Sequence, residues 1–137
     1  MPFEIGKALT MSEGTDVTIF ATGHLVWKAV EAAKQLAEEG ISVELINIHT
    51  IKPLDEEAVI ASAAKTGAVV TAEEHNILGG LGESIAGLLG RKLPTPIEMV
   101  GVNDSFGESG PVPELIVKYG LDTINVVNAV KAVLARK

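Results

Sequence analysis

Short runs of β-branched and other apolar residues alternate along this chain with longer segments whose apolar residues recur every three or four positions. The short runs predict buried strands, and the longer segments predict amphipathic helices. This alternation is typical of a mostly parallel sheet with helices on both faces and right-handed crossovers. We therefore expect an α/β fold of three layers. The predicted strands cover residues 7–11, 17–21, 42–48, 69–72 and 97–102.

The segments between and after these strands predict helices with recognisable starts and stops. A length of 137 residues suits one ordinary domain, so residues 1–137 are expected to form a single unit. Gly, Asp and Thr mark the helix ends, because they favour helix caps. The predicted helices run from Leu25 to a stop at Gly40, from a cap at Asp55 to Gly67, from the glycine-rich turn to about Gly90, over residues 113–119, and over 124–135 after a cap at Thr123.

The charge and composition of the chain exclude several classes of function. It has 18 acidic residues against 11 basic ones, a formal net charge of −7, which disfavours nucleic acid and anionic membrane surfaces as partners. It contains no cysteine, so disulfides and thiolate metal sites are excluded. No apolar run approaches the ~18 residues that a membrane-spanning helix needs. We expect a soluble cytoplasmic protein without a secretory signal.

A glycine-rich turn follows the fourth predicted strand, where Gly79, Gly80 and Gly82 precede a helix. The G-x-G-x-x-G pattern of dinucleotide sites is incomplete, and the lysine of a phosphate-binding loop is missing. The favoured interpretation is geometric: at least one glycine has φ above zero, and the helix packs close to the sheet. A small-anion site at the start of the helix is the alternative.

The polar residues beside this turn are the candidates for chemistry. Glu73, Glu74 and His75 are consecutive, and consecutive residues of an extended segment point to opposite sides, so they cannot all bind one metal ion. A carboxylate beside an imidazole at a strand's carboxyl end suits a proton-handling pair. The alternative for Glu74 and His75 is contact with another subunit or domain, or with water. A hydrolase triad of His75, Asp104 and Ser105 is disfavoured because no serine lies in a G-x-S-x-G elbow.

Several segments, in the right order and over almost the whole chain, together resemble one known family. Residues 73–83 resemble the E-E-H-x-x-x-G-G-x-G segment of transketolase-type C-terminal domains. Residues 106–111 resemble the family's F-G-x-S-x-P loop, and residues 119–121 the Y/F-G-L/F that follows it. Residues 3–8 are similar to the segment that leads into the domain, and residues 21–23 to the end of the first long strand. The F-G-x-S-x-P loop favours transketolase among the family's branches.

This resemblance implies a fold and a place in a larger enzyme. The family sheet has five strands with the first antiparallel to the rest, and the domain is the third α/β domain of a thiamine diphosphate enzyme. In the family, companion domains bind the aminopyrimidine and the diphosphate with its Mg²⁺, and no motif of those domains occurs here. The resemblance therefore implies no catalytic, cofactor-binding or metal-binding residue in this chain. It leaves as candidate interface or anion-site residues Glu74, His75, Gly79, Gly80, Gly82, Asp104, Phe106 and Ser109.

The function implied is that of a separated domain or small subunit of a transketolase-like enzyme. Such an enzyme transfers a ketol unit between sugar phosphates, as in pentose phosphate metabolism, and this chain would serve assembly or regulation without being active alone. The partners implied are the pyrimidine-binding and diphosphate-binding domains or subunits, within an oligomer. The alternatives are an independent small-anion or nucleotide-binding module, or the equivalent domain of a deoxyxylulose-phosphate synthase or a 2-oxoacid dehydrogenase β subunit.

Overall fold

A computed structural model of the chain describes residues 8–23, 25–48, 54–76, 80–102 and 123–137, without the side chains of residues 74–76 and 102. The elements of this part are β1 (Leu9–Ser12), β2 (Val17–Ala21), α1 (Leu25–Glu38), β3 (Val43–Asn47), α2 (Glu56–Thr66), β4 (Val69–Asn76), α3 (Leu81–Lys92), β5 (Ile97–Val102) and α4 (Thr123–Ala135). The strands form one sheet in the order β1-β3-β2-β4-β5. β1 is antiparallel to β3, and the other neighbouring pairs are parallel.

Helices cover both faces of the sheet. α1 and α4 pack on one face around residues such as Ile19 and Val70, and α2 and α3 pack on the other around Phe20 and Val69. Neighbouring strand residues belong to opposite faces because strand side chains alternate. The three-layer α/β/α fold, with a mostly parallel five-stranded sheet and an antiparallel first strand, is therefore confirmed.

The helix ends show why these segments are helical. The carboxylate of Asp55 accepts a hydrogen bond from the N–H of Ala58 at 3.3 Å, which caps α2 as predicted. Gly67 ends the same helix in the left-handed conformation, with φ of 74°. Thr123 begins α4, and its hydroxyl donates to a carboxylate oxygen of Glu31 on α1 at 2.7 Å. This last bond joins the two helices of one face.

The structure differs most from the predicted boundaries at two strands, β1 and β4, while β3 is one residue shorter at each end. β1 begins two residues later than predicted, at Leu9. β4 continues to Asn76, so Glu73 lies inside the strand rather than at the start of a polar turn. The prediction was wrong there because Glu73 is buried and bonded within the fold, so its polarity does not end the strand. The predicted helix at residues 113–119 lies outside the described residues.

A buried polar cluster joins β3 to α2 near the amino ends of the parallel strands. Glu44 is only 5% exposed, and its carboxylate accepts hydrogen bonds from the hydroxyl of Ser62 at 2.5 Å, the ammonium of Lys65 at 2.7 Å and the N–H of Gly14 at 3.3 Å. The hydroxyl of Thr18 in β2 bonds with that of Ser62 at 2.7 Å. Each oxygen of the Glu44 carboxylate thus has a donor, as a buried charge requires.

The surroundings of Glu44 decide how the stability of the fold depends on pH. Burial acts to raise the pKa of this carboxyl, but the hydrogen bonds from Lys65, Ser62 and the Gly14 N–H, with the charge of Lys65, outweigh it and lower the pKa below its ordinary 4.5. A carboxyl whose pKa is lower in the folded state stabilises that state at pH values above its unfolded pKa. This contribution is lost as the pH falls through the folded pKa.

We expect Glu44→Gln to lower the free energy of unfolding at neutral pH by about 1.5–3 kcal/mol, because a charge-assisted network loses its charge. The difference from the unchanged protein should shrink as the pH falls below about 4.5. Urea unfolding at several pH values measures both. The control is Glu39→Gln in the exposed ion pair with Lys131, which should cost at most about 1 kcal/mol. A Glu44→Gln effect that is undiminished in acid would contradict this account.

Candidate functional site

The end of β4 is bonded to the start of α3 through the side chain of Glu73. Glu73 is 1% exposed, and its two carboxylate oxygens accept hydrogen bonds from the N–H of Leu81 at 2.9 Å and the N–H of Gly82 at 2.6 Å. Val69, Thr71 and Glu73 alternate along β4 and point to the same face of the sheet, where α3 packs. The position of Glu73 in the strand therefore directs its carboxylate at the helix.

This contact provides the cap that α3 otherwise lacks. Gly80 is the N-cap residue and makes no side-chain cap hydrogen bond. The first N–H groups of a helix have no partner within the helix, and they carry the positive end of its dipole. The Glu73 carboxylate accepts hydrogen bonds from two of these N–H groups, and the positive end of the helix dipole stabilises its negative charge. The predicted small-anion site would use the same N–H groups, so at these two positions the protein's own carboxylate takes the place of an external anion.

Gly82 allows α3 to lie close to the sheet. A Cβ at this position would lie 2.9 Å from the sulfur of Met99 and 3.0 Å from the hydroxyl oxygen of Thr71. Both distances are shorter than ordinary contacts, so a side chain here forces its neighbours to move. The close-packing part of the geometric interpretation therefore holds at Gly82. Gly80 has a φ of −95°, and Gly82, which lies within the helix, also has a φ below zero. Gly79 lies outside the described residues, so a positive φ in this turn stays a prediction.

The carboxyl ends of β2 and β4 form the centre of this edge of the sheet. The chain leaves β2 through α1 toward β3 on one side, and it leaves β3 through α2 toward β4 on the other side of β2. Strand order therefore reverses between β2 and β4, and binding sites of open α/β sheets form at the carboxyl ends beside such a point. The N–H of Thr22 donates to the carbonyl of Ala72 at 3.1 Å, and β4 carries Glu74 and His75 beyond that contact.

The neighbouring strand β5 ends at the same edge. Asn76 is paired with Val102, after an irregularity in the β4–β5 register that begins at Ala72. Val102 therefore ends β5 beside the end of β4. The side chains of Glu74 and His75 are not among those described. The other predicted site residues that lie outside the described part of the chain are Gly79, Asp104, Phe106 and Ser109. That these residues group with Glu74 and His75 therefore stays a prediction.

The capping role of Glu73 was not predicted from the sequence, where this residue was considered only with Glu74 and His75 as three consecutive polar residues. Two features of the sequence point to its role: it shares the strand face of Val69 and Thr71, and it precedes a helix that begins with a glycine and so has no capping side chain.

Among the described residues, no three His, Asp or Glu side chains are grouped so that they could hold a metal ion. None of the described helices combines the length and apolar character that crossing a membrane requires.

Comparison with known proteins adds family relationships to this geometry. Residues 6–126 match the family described as transketolase, C-terminal domain. The chain is 51% identical over 135 residues to a 6-deoxy-6-sulfo-D-fructose transketolase subunit of Clostridium sp. (strain MSTE9), covering 98% of this chain and 42% of that protein. It is 40% identical over 135 residues to 1-deoxy-D-xylulose-5-phosphate synthase 1 of Geobacter sulfurreducens, covering 97% of this chain and 21% of that protein.

A solved structure is similar over the same extent. It is described as a split-gene transketolase in the form of an inactive beta4 tetramer, and it superposes with a TM-score of 0.93 at 48% identity. The superposition covers 98% of this chain and 44% of that chain. This chain thus spans less than half the length of the relatives it matches.

We expect Glu73→Gln to destabilise the protein by about 1–3 kcal/mol, because one amide of α3 loses its acceptor in a buried place. Glu73→Ala removes both acceptors and should cost more. Hydrogen exchange of the Leu81 and Gly82 amides should accelerate in both variants. The control is Glu57→Gln, an exposed acidic residue in the first turn of α2, which should cost no more than about 1 kcal/mol. Unchanged exchange at Leu81 and Gly82 in Glu73→Ala would contradict the capping role.

The close approach at Gly82 predicts a contrast within one helix. Gly82→Val should destabilise the protein by about 1–3 kcal/mol, since its Cβ alone would lie 2.9 Å from the Met99 sulfur and 3.0 Å from the Thr71 hydroxyl oxygen. Gly90 in the same helix has nothing within 4 Å of an added Cβ, so Gly90→Val should be neutral or slightly stabilising. Thermal and urea unfolding of the two variants give the comparison. Equal effects at both positions would show that crowding at Gly82 is unimportant.

Proposed function

Because this chain belongs to the family of transketolase C-terminal domains, we propose that it is the C-terminal domain or subunit of a transketolase-like thiamine diphosphate enzyme. That enzyme transfers a two-carbon ketol unit between sugar phosphates. The observation that carries the proposal is the 51% identity, over 98% of this chain, to a transketolase subunit more than twice as long. When a whole chain matches only part of a longer subunit, the chain is expected to correspond to one domain of that subunit.

Within that enzyme, the role proposed for this chain is assembly and regulation rather than catalysis. The start of α3 is the predicted anion site, and Glu73 already accepts hydrogen bonds from two of its N–H groups. A net charge of −7 also opposes the binding of a multiply charged anion. The start of α3 therefore does not fit the diphosphate of the cofactor. Thiamine diphosphate and Mg²⁺ would be held by companion pyrimidine-binding and diphosphate-binding domains or subunits.

The carboxyl edge of the sheet is the surface proposed to face those companions. β4 and β5 both end there, which supports placing Glu74, His75 and the segment after Val102 on one surface. Carboxylate, imidazole and hydroxyl groups on such a surface provide hydrogen bonds to a partner. An oligomeric enzyme is proposed on the similarity to the beta4 tetramer, which is an assembly of a related longer chain.

A second candidate is the equivalent domain of a 1-deoxy-D-xylulose-5-phosphate synthase. The Geobacter relative supports it with 40% identity over 97% of this chain. The reaction product separates the two candidates. When this chain is assembled with its companion domains, exchange of ketol units between sugar phosphates supports the transketolase assignment. Formation of 1-deoxy-D-xylulose 5-phosphate would support the synthase instead.

We expect the isolated chain to fold, to bind no thiamine diphosphate and to turn over no ketose phosphate. Calorimetric titration with the cofactor and magnesium should give no heat of binding at micromolar protein. Ketol transfer should appear when the chain replaces the matching segment of the Clostridium subunit and a diphosphate-binding companion subunit is added. A micromolar dissociation constant, or turnover by the isolated chain, would contradict the accessory role. Inactivity of the complete assembly would contradict the transketolase assignment.

A further inference from the structure

An apolar groove lies open beside the edge strand β1. Its most exposed member is Trp27 of α1, with 67% of its surface accessible, and Met11 of β1 is 39% exposed. Trp27 is the single tryptophan of a chain in which only 4% of residues are aromatic. The groove encloses about 460 Å³. Its lining includes Met11, Glu13, Trp27, Val30, Ile41 and Leu45.

The part of the fold that the structure describes does not account for this exposure. α1 buries Leu25, Ala29 and Leu36 against the sheet, and Trp27 lies off that buried stripe. Met11 lies where the β1–β3 register shifts between Thr10 and Ser12. A residue at such a bulge is pushed out of regular pairing, which exposes Met11 beside Trp27. Contiguous exposed apolar surface marks interaction sites, and tryptophan is among the residues that contribute most to binding.

The groove continues onto the carboxyl edge of the sheet. A second hollow, formed by Thr22, Gly23 and Asn47 at the ends of β2 and β3, shares Met11 and Trp27 with the groove. The groove and this more polar hollow together reach from β1 to the edge at which β4 and β5 also end. A partner that contacts this edge of the sheet can therefore occupy the groove at the same time.

The geometry of β1 indicates how an occupant binds. Among the described residues, β1 pairs with β3 alone, so its outer edge could accept another strand. The bulge at Met11 interrupts the regular spacing of donors and acceptors on which strand addition depends. Insertion of apolar side chains beside Trp27 is compatible with that irregular edge. The groove thus suits a folded partner with an apolar ridge better than an added strand.

We propose that this groove binds the polypeptide that precedes this segment in the longer relatives, through an apolar ridge packed on Trp27 and Met11. The inference rests on the proposed function. The Clostridium relative extends well beyond the segment matched here, and the family is one of C-terminal domains, so its remaining chain leads into β1. The seven residues before Ala8 can span at most ~25 Å. Anything joined there is held near Met11, and tethering makes even a small contact effective.

Trp27 and Met11 also report on the contact. Hydroxyl-radical footprinting with mass spectrometry measures the oxidation rate of each residue in two proteins: the isolated chain, and the Clostridium subunit carrying this chain in place of its own matching segment. We expect Trp27 to oxidise rapidly in the isolated chain and several-fold more slowly in the hybrid subunit, at every protein concentration. Equal rates in the two proteins would overturn the proposal. Protection of the isolated chain that grows with its concentration would assign the groove to a second copy instead.

Matched variants of the hybrid subunit test whether the protection of Met11 depends on the groove or on any exposed apolar residue. Trp27→Ala should restore rapid oxidation of Met11, because the ridge loses its main contact. Ile124→Ala is the control, since Ile124 is 56% exposed on α4 and does not line the groove. Met11 protection that survives Trp27→Ala, or is lost equally in Ile124→Ala, would contradict the proposal. Ketol transfer by an assembly in which Trp27 stays exposed would contradict the proposed role of the groove and support the proposed function. Protection of Trp27 without ketol transfer would support the role of the groove and contradict the proposed function.

Discussion

The hydrogen bonds from the start of α3 to Glu73 determine how the carboxyl edge of this sheet is built. A carboxylate that is 1% exposed is tolerable only because both oxygens have donors, at 2.9 and 2.6 Å. The contact joins residues that are eight positions apart in the chain, so one side chain fixes the two ends of the intervening segment, residues 74–80. Glu74 and His75 begin that segment. The backbone positions of the candidate surface therefore depend on a carboxylate that never reaches the surface.

Gly82 and Glu73 depend on each other. The absence of a side chain at Gly82 lets the first turn of α3 settle against Thr71 and Met99. That approach brings the N–H of Gly82 within 2.6 Å of the carboxylate. A helix held farther from the sheet would leave a buried charge with poor donors, which costs far more than a weakened surface contact. Within the glycine-rich turn, Gly82 therefore serves the packing of α3 against the sheet.

The sequence predicted the layers of this fold because their cause is local. Apolar periodicity and the caps at Asp55 and Gly67 depend on near neighbours, and the antiparallel first strand came from family resemblance. The end of β4 was predicted poorly because polarity was taken as the end of burial. Whether Glu73 ends a strand depends on a donor pair eight residues away, brought to it by tertiary packing. Side-chain groupings around residues 74–79 and 103–111 involve parts of the chain that the structure does not describe.

Trp27 illustrates a different limit of sequence reasoning. The buried stripe of α1 can be read from its spacing, and the same spacing shows that Trp27 lies outside it. Nothing in the helix requires an aromatic residue there, since a smaller or charged residue would favour the helix at least as well. Its exposure beside Met11 therefore has no cause within the described fold and needs one outside it. The described residues explain where the groove is, and the proposed partner would explain why it is apolar.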